Sequence, residues 1–315
     1  MTKPSNPHNP TATSNVAAKP TLTSNVTDTA IIFEGGGMRG AYTAGIVTSL
    51  LEAGIHADYV AGISAGSSNT VNYLSRDTTR AKACFVDFAA DRRFGTWWTW
   101  LQGKGLFNAH YIYEETSAPG QALPFDFATF LSNPARCRIG AYDAVAGETI
   151  YWTKDDIADL TDLMRRVRAS SSMPIIMPPV TINQRVWVDG ALGRGGGIPL
   201  APAQADGFTK FFVVLTRPRT YVKPPYKLKP LINAFYHRYP AVVEGIMGRA
   251  EQYNATRQEL FELERQGRAC LVFPDQMTVE NGTRDVPALQ ATYDAARAQA
   301  VRELPRWKEF LLPPS

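Results

Sequence analysis

Apolar and polar positions along the chain predict short buried strands alternating with amphipathic helices. Ala30–Glu34 is an apolar run that ends in the glycine-rich "EGGGMRG". "GAYTAGIVTSLLEAG" then places apolar residues at helical spacing and stops at Gly54, a helix C-cap signal. "ADYVAGIS" is a second short strand entering another glycine-flanked turn, and "AGSSNTVNYLS" continues as a helix. Strand, turn and helix, repeated, predict the opening of a parallel α/β sheet. Arg80–Arg93 reads as a further helix. Phe94 to Phe107, "FGTWWTWLQGKGLF", breaks the pattern: it is aromatic, glycine-punctuated and irregular.

The second half adds two hairpins. "CRIGAYDAVAGETIYW" alternates on both arms around Ala146-Gly147, and "PPVTINQRVWVDGA" turns at Asn183-Gln184 and ends in Asp189. Between them Asp155–Ala169 is amphipathic, with Thr153 or Asp155 as candidate N-cap. "KFFVVLTRP" is a strongly apolar strand. Arg249–Gln266 reads as a long helix ending near Gly267, "ACLVFPD" as a late strand, and the remainder as helix.

Composition narrows the class. The chain has 315 residues, 44% hydrophobic and 20% charged, which is ordinary for a globular protein with a sizeable core. The net charge of +4 is mild and its cations are scattered, so nucleic acid is not expected as a partner, while weak attraction to an anionic membrane is permitted. Cys84, Cys137 and Cys270 lie far apart with no CxxC, which fits free thiols in a reducing, cytoplasmic compartment. Residues 1–28 are rich in Pro, Ser, Thr and Asn without an apolar h-region; they read as a disordered tail and not as a secretory signal. No apolar stretch is long enough to span a bilayer.

The chemistry lies in the two glycine turns. Gly35, Gly37 and Gly40 fit GxGxxG after a strand and before a helix, the context of a dinucleotide fold. That fold wants an acidic residue at the end of the second strand, whereas Asp58 stands at its start. The end of the strand carries Gly62-Ile63-Ser64-Ala65-Gly66, a GxSxG turn that pushes its serine out above the sheet. A serine attacking a carbonyl makes an oxyanion, and a glycine loop on the neighbouring strand can supply N–H donors to it. The two turns together favour an acyl-transfer serine hydrolase. The usual base is histidine. His8 lies in the tail, His56 precedes the second strand at the wrong end, and His110 and His237 sit in weakly patterned segments. Asp189, ending an apolar strand before Gly190, is the better candidate, because burial strengthens a carboxylate as a base. An Asp-Gly at a strand end is also plain turn chemistry.

"EGGGMRGAYTAG", "GISAGS", "RASSSMP" with the following "PPV", and "VDGA", in this order, resemble the patatin-like phospholipases, over about Ala30 to at least Pro218. "YNATRQELFELERQGRACLVFPD" is similar to that family's bacterial members. The resemblance implies a three-layer α/β/α fold with a mainly parallel central sheet, in one domain over 29–315: a core of about 30–218 and a C-terminal extension over 219–315. It implies a Ser–Asp dyad without histidine, with Ser64 as nucleophile and Asp189 as base. Backbone N–H groups of Gly36, Gly37 and Met38 would form the oxyanion hole. Gly35, Gly40, Gly62, Gly66, Gly190 and Ala191 complete the motifs, and Arg39 takes the place of the family's basic residue beside the loop. The implied substrate is a phospholipid or another long-chain acyl ester, cleaved without metal or organic cofactor, with peripheral membrane contact possible. A thioesterase, an acyltransferase and a non-catalytic lipid- or nucleotide-binding module on the same fold are the alternatives. In one respect the chain departs from the family: "LGRGGG" stands between the DGA motif and Ile198-Pro199, expected as a mobile rim or a plain surface loop.

Overall fold

The computed structural model of the chain describes residues 22–95, 107–227 and 229–313. Its centre is an eight-stranded sheet: β1 (Thr29–Phe33), β2 (Tyr59–Ile63), β3 (Arg136–Asp143), β4 (Thr149–Trp152), β5 (Val180–Ile182), β6 (Arg185–Asp189), β7 (Lys210–Val214) and β8 (Ala269–Val272). The order is β5-β6-β3-β2-β1-β7-β8, with β4 paired to β3 off this path. The pairs β3/β2, β2/β1, β1/β7 and β7/β8 are parallel; those of β3 with β4 and β6, and of β5 with β6, are antiparallel.

Strand side chains alternate between the two faces, as the period of two requires. Ile31, Phe33, Val60, Phe212, Val214 and Val272 enter one apolar cluster. That cluster is covered by α1 (Gly40–Glu52), α2 (Ala65–Leu74), the helix Leu160–Ser170 and the C-terminal helix Val286–Leu311. Ala30, Ile32, Tyr59, Phe211, Val213 and Leu271 enter the other, under the helices Leu200–Ala205 and Pro240–Arg265. Helices on both faces of a mainly parallel sheet make the three-layer α/β/α architecture. Residues after 219 belong to the same core: β8 extends the sheet, and Trp307 packs edge-on against Phe212 at 5.5 Å between ring centres.

Four local expectations change. Residues 22–28 are not a loose tail: Val26 is buried and bridges to Ala57, and Asn25 bonds the backbone of Gly54 and His56. Residues 1–21 lie outside the described residues. The helix expected from Asp155 begins at Leu160, because two capping signals follow one another. Thr153 and Asp156 close a capping box on a single 3-10 turn, and Asp159 then caps the true helix through the Asp162 N–H. The helix expected over Arg80–Arg93 stops at Phe85 and gives way to a 3-10 turn, Asp87–Ala90. There the Arg284 guanidinium takes the carbonyls of Ala89 and Asp91. The long helix begins nine residues before the expected Arg249, with Pro240 in its first turn.

One feature of the sheet positions the site. β4 and β6 both pair with Ala141 and Tyr142, so they occupy opposite edges of β3. β2 overlaps β4 along Ile139 and Gly140 and therefore shares the edge used by β6. Antiparallel β6 runs into parallel β2 end to end: Ile63 stands opposite Gly140, and Asp189 opposite the next residue, Ala141.

Candidate active site

Ser64 follows β2 with φ 57° and ψ −127°, a conformation few non-glycine residues adopt. Close contacts hold this turn. A Cβ on Gly62 would lie 2.2 Å from the Gly66 carbonyl oxygen, and one on Gly66 would lie 2.1 Å from that of Phe33. The elbow thus seats directly on the end of β1, and only hydrogen fits at either position. The Ser64 N–H donates to Ser170 Oγ at 2.9 Å, and Ser170 Oγ donates to the Gly140 carbonyl at 2.5 Å.

Asp189 is buried, 2% exposed. Its N–H donates to the Ser172 carbonyl at 3.0 Å, and its Oδ1 accepts from the Ala191 N–H at 2.9 Å. The Ser64 hydroxyl stands near enough to act on its carboxylate, lowering the pKa. Burial raises the Asp189 pKa above the usual carboxylate range, against the opposing pull of Arg249, the Ala191 N–H and the Ser64 hydroxyl. The serine run 170–172 therefore tethers both members: Ser170 holds the elbow and Ser172 the strand end. In the sequence the only signal of these contacts is the run itself, three consecutive small hydroxyl residues after a helix.

The glycine loop lies against the elbow. A Cβ on Gly35 would stand 2.9 Å from the Ile63 carbonyl oxygen and 3.1 Å from Ser64 Cβ. Among the described residues the N–H groups of Gly36 and Gly37 have no acceptor, and neither has that of Ala65 at the start of α2. Met38 departs from expectation: its N–H is taken by the Asn281 carbonyl at 3.0 Å. Arg39 is buried, its guanidinium bonded to Asn281 Oδ1 and 3.6 Å from Glu280. Asn281, 244 residues from Gly37, closes on the loop with both backbone and side chain. Nothing in its own stretch, "VENGTRD", marks it.

The "LGRGGG" stretch is neither mobile rim nor surface loop. Gly193 and Gly195–Gly197 are buried, and only Arg194 is exposed. The Gly197 carbonyl accepts from the Gly35 N–H at 3.0 Å, and that of Gly196 from Arg249 Nε at 3.4 Å. Gly196 packs so closely on Tyr253 that a Cβ there would meet its backbone at 2.8 Å, with φ 59°. The insertion braces the glycine loop from below.

From Gly37 and Ser64 a cavity enters the protein between Phe85, Phe107, Leu123, Val167 and Met177. Its lining is predominantly apolar, as an acyl chain requires. None of the described histidines bonds either member of the pair. His56 stands by Asn25, His110 is exposed and bonded to Glu115 at 2.9 Å, and His237 is exposed beside the Ala234 carbonyl. His8 and the tryptophans Trp97, Trp98 and Trp100 lie outside the described residues. Phe94 and Phe107, which flank those tryptophans in sequence, are buried edge to face at 5.3 Å between ring centres, on the cavity wall. No helix among the described residues is long and apolar enough to cross a membrane.

An α/β/α fold with a serine on a strained elbow, a buried carboxylate near it and a glycine loop with N–H groups that have no acceptor among the described residues is an arrangement that could carry acyl transfer. Residues 31–203, more than half of the chain, match Patatin-like phospholipase, and the chain belongs to that family. Residues 239–312 match a domain of unknown function, DUF6363, and this stretch supplies Arg249 and Asn281. The chain is 25% identical over 228 residues to "Uncharacterized protein YjjU" of Escherichia coli (strain K12), a match spanning 66% of this chain and 60% of that protein's length. Among solved structures it is similar to VipD from Legionella pneumophila, with a TM-score of 0.49 and 10% identity over 90% of this chain and 68% of that one.

Proposed function

We propose that the chain is a lipid acyl hydrolase in which Ser64 and Asp189 act as a two-residue catalytic unit. The observation that carries this is a buried carboxylate, its pKa raised by burial, that feels the Ser64 hydroxyl on the neighbouring strained elbow. Ser64 Oγ attacks the ester carbonyl carbon as its proton passes to Asp189. The tetrahedral oxyanion is met by the N–H groups of Gly36 and Gly37, which have no acceptor among the described residues. The C–O bond to the alcohol breaks, the alcohol leaves with the proton from Asp189, and an acyl-Ser64 ester remains. Water then attacks that ester, gives a proton to Asp189, and the carboxylic acid leaves as Ser64 Oγ is reprotonated. The apolar cavity beside Ser64 favours a long-chain acyl group.

A fluorophosphonate probe tests this, because it reacts with activated serines. The wild-type protein is expected to be labelled at Ser64 and to release acid from an acyl ester; Ser64→Ala is expected to do neither. A folded wild-type chain that resists the probe would point instead to a binding module. Acid release that gives way to transfer when an alcohol or thiol acceptor is added would make it an acyltransferase.

A further inference from the structure

Met173 lines the apolar cavity on one side and a second cavity on the other. The second cavity carries Lys223, Arg249, Tyr221 and Asn281 on its wall, so it opens beside the glycine loop that Asn281 clasps. Two half-buried cations face one cavity next to a reacting centre, and charge even partly withdrawn from water is costly unless it is offset.

Among the described residues Lys223 and Arg249 form no salt bridge. Of the nearby carboxylates, Glu34 offsets part of the positive charge at Lys223, and both it and Glu280 have closer partners. Glu34 is buried and accepts from the Thr216 N–H at 2.5 Å, and Glu280 pairs with Arg217 at 3.0 Å. Arg39 and Arg217 add positive charge around the same point. Burial first, and then repulsion by Arg249, push the Lys223 ammonium down to about 7. The group is nonetheless held firmly. Asn254 clasps its backbone from both sides, accepting from the Lys223 N–H at 2.9 Å and donating to its carbonyl at 3.0 Å. Its Nζ stands 4.5 Å from the centre of the Tyr253 ring. Arg249 is oriented by the Gly196 carbonyl, which places a planar fork beside a point charge. A fixed, only partly compensated pair of this kind is what a phosphate oxyanion would engage.

We propose that Lys223 and Arg249 receive the phosphate of the substrate's alcohol portion, while the acyl chain occupies the apolar cavity and the ester carbonyl lies between them at Ser64. This rests on the reading of Ser64 as the acyl-transfer residue, and it assigns the alcohol side of the substrate to two residues outside the Ser64 and Asp189 motifs. Arg249 has a second consequence there. It is also the cation that opposes the rise in the Asp189 pKa, so a bound phosphate would offset part of its charge and leave the base stronger.

The test is direct binding to the Ser64→Ala protein by calorimetry at about pH 6, below the Lys223 transition. The ligands are decyl phosphate, decanol and inorganic phosphate. Decyl phosphate is expected to bind at least about tenfold more tightly than decanol. Lys223→Met and Arg249→Met are each expected to remove most of that preference, and Lys223→Arg to restore it. Lys223→Gln serves if the Met variant fails to fold. A preference below tenfold in the starting protein, or one that survives in folded Lys223→Met and Arg249→Met, overturns the proposal. Inorganic phosphate binding as tightly as decyl phosphate also overturns it, because the site would then take free phosphate. Binding is read without turnover, so its failure leaves ester hydrolysis by the wild type untouched, and a failure of fluorophosphonate labelling leaves this binding untouched.

Discussion

Gly37→Ala tests the oxyanion assignment at one atom. Gly37 has φ +56°, a left-handed conformation that costs a residue with a Cβ about 1–2 kcal/mol. The new Cβ would also stand 2.6 Å from the Asn281 carbonyl oxygen, the acceptor of the Met38 N–H. Backbone cannot yield there as a flexible side chain can, so the carbonyl must move and the bond, worth about 1 kcal/mol, weakens. The expected loss is about 2–3 kcal/mol of unfolding free energy. Gly54→Ala is the control. Gly54 has φ +68° and nothing within 4 Å of an added Cβ, so it carries the conformational cost alone. In urea unfolding Gly37→Ala should therefore be less stable than Gly54→Ala by about 1 kcal/mol. In steady-state hydrolysis of a short-chain nitrophenyl ester, Gly37→Ala should lose about 10²–10³ in kcat with KM little changed, since the displaced donors matter in the transition state. Gly54→Ala should keep wild-type constants. A folded Gly37→Ala with wild-type kcat, or one whose loss is confined to KM, would refute the assignment; equal stability of the two variants would refute the clash.

Asp189→Asn should lower kcat/KM by about four orders of magnitude or more. It should also raise unfolding free energy at neutral pH. A carboxyl whose folded pKa exceeds its unfolded value stabilises the fold below the unfolded value, and loses that contribution as pH rises through the folded one. The gain over wild type should thus vanish in acid, and the acid limb of the wild-type kcat/KM profile should lie above the ordinary carboxylate range. Asn281→Leu removes the side-chain acceptor of buried Arg39 and should lower kcat about tenfold at similar KM, with recovery in Asn281→Asp, which keeps an oxygen there; equal kcat in the wild type and the Leu variant would make the contact merely structural. Trp97→Ala combined with Trp98→Ala, in the segment outside the described residues, should weaken binding to anionic vesicles in a flotation assay and spare hydrolysis of a soluble ester. Unchanged vesicle binding would remove the membrane-anchor reading.

What the sequence determined by itself is what nearest neighbours in the chain enforce. Apolar runs closed by glycine turns define β1 and β2, because strands and tight turns are local events. The Asn183-Gln184 turn was legible, and both residues take the positive φ that a two-residue hairpin needs. Ser64 was legible because its elbow is built from five consecutive residues, and Asp189 because it ends an apolar strand before a glycine. Tandem caps at Thr153 and Asp159 defeated the same reasoning, since either can begin a helix and only packing selects one.

Tertiary structure decided everything that depends on distant segments meeting. The sequence contains no sign that β6 runs antiparallel into the end of β2, yet this register alone brings Asp189 to Ser64. Asn281 reaches the glycine loop across the whole length of the chain, and it takes the Met38 donor that the motif assigned to the oxyanion. The glycines before Ile198 look like a flexible insertion because composition registers their conformational freedom; in the fold they are buried, and their carbonyls hold Gly35 and Arg249. Lys223 and Arg249 are unremarkable cations in sequence. Their significance comes from standing half-buried on one cavity wall with no salt bridge among the described residues, and burial and pairing are properties of the folded chain.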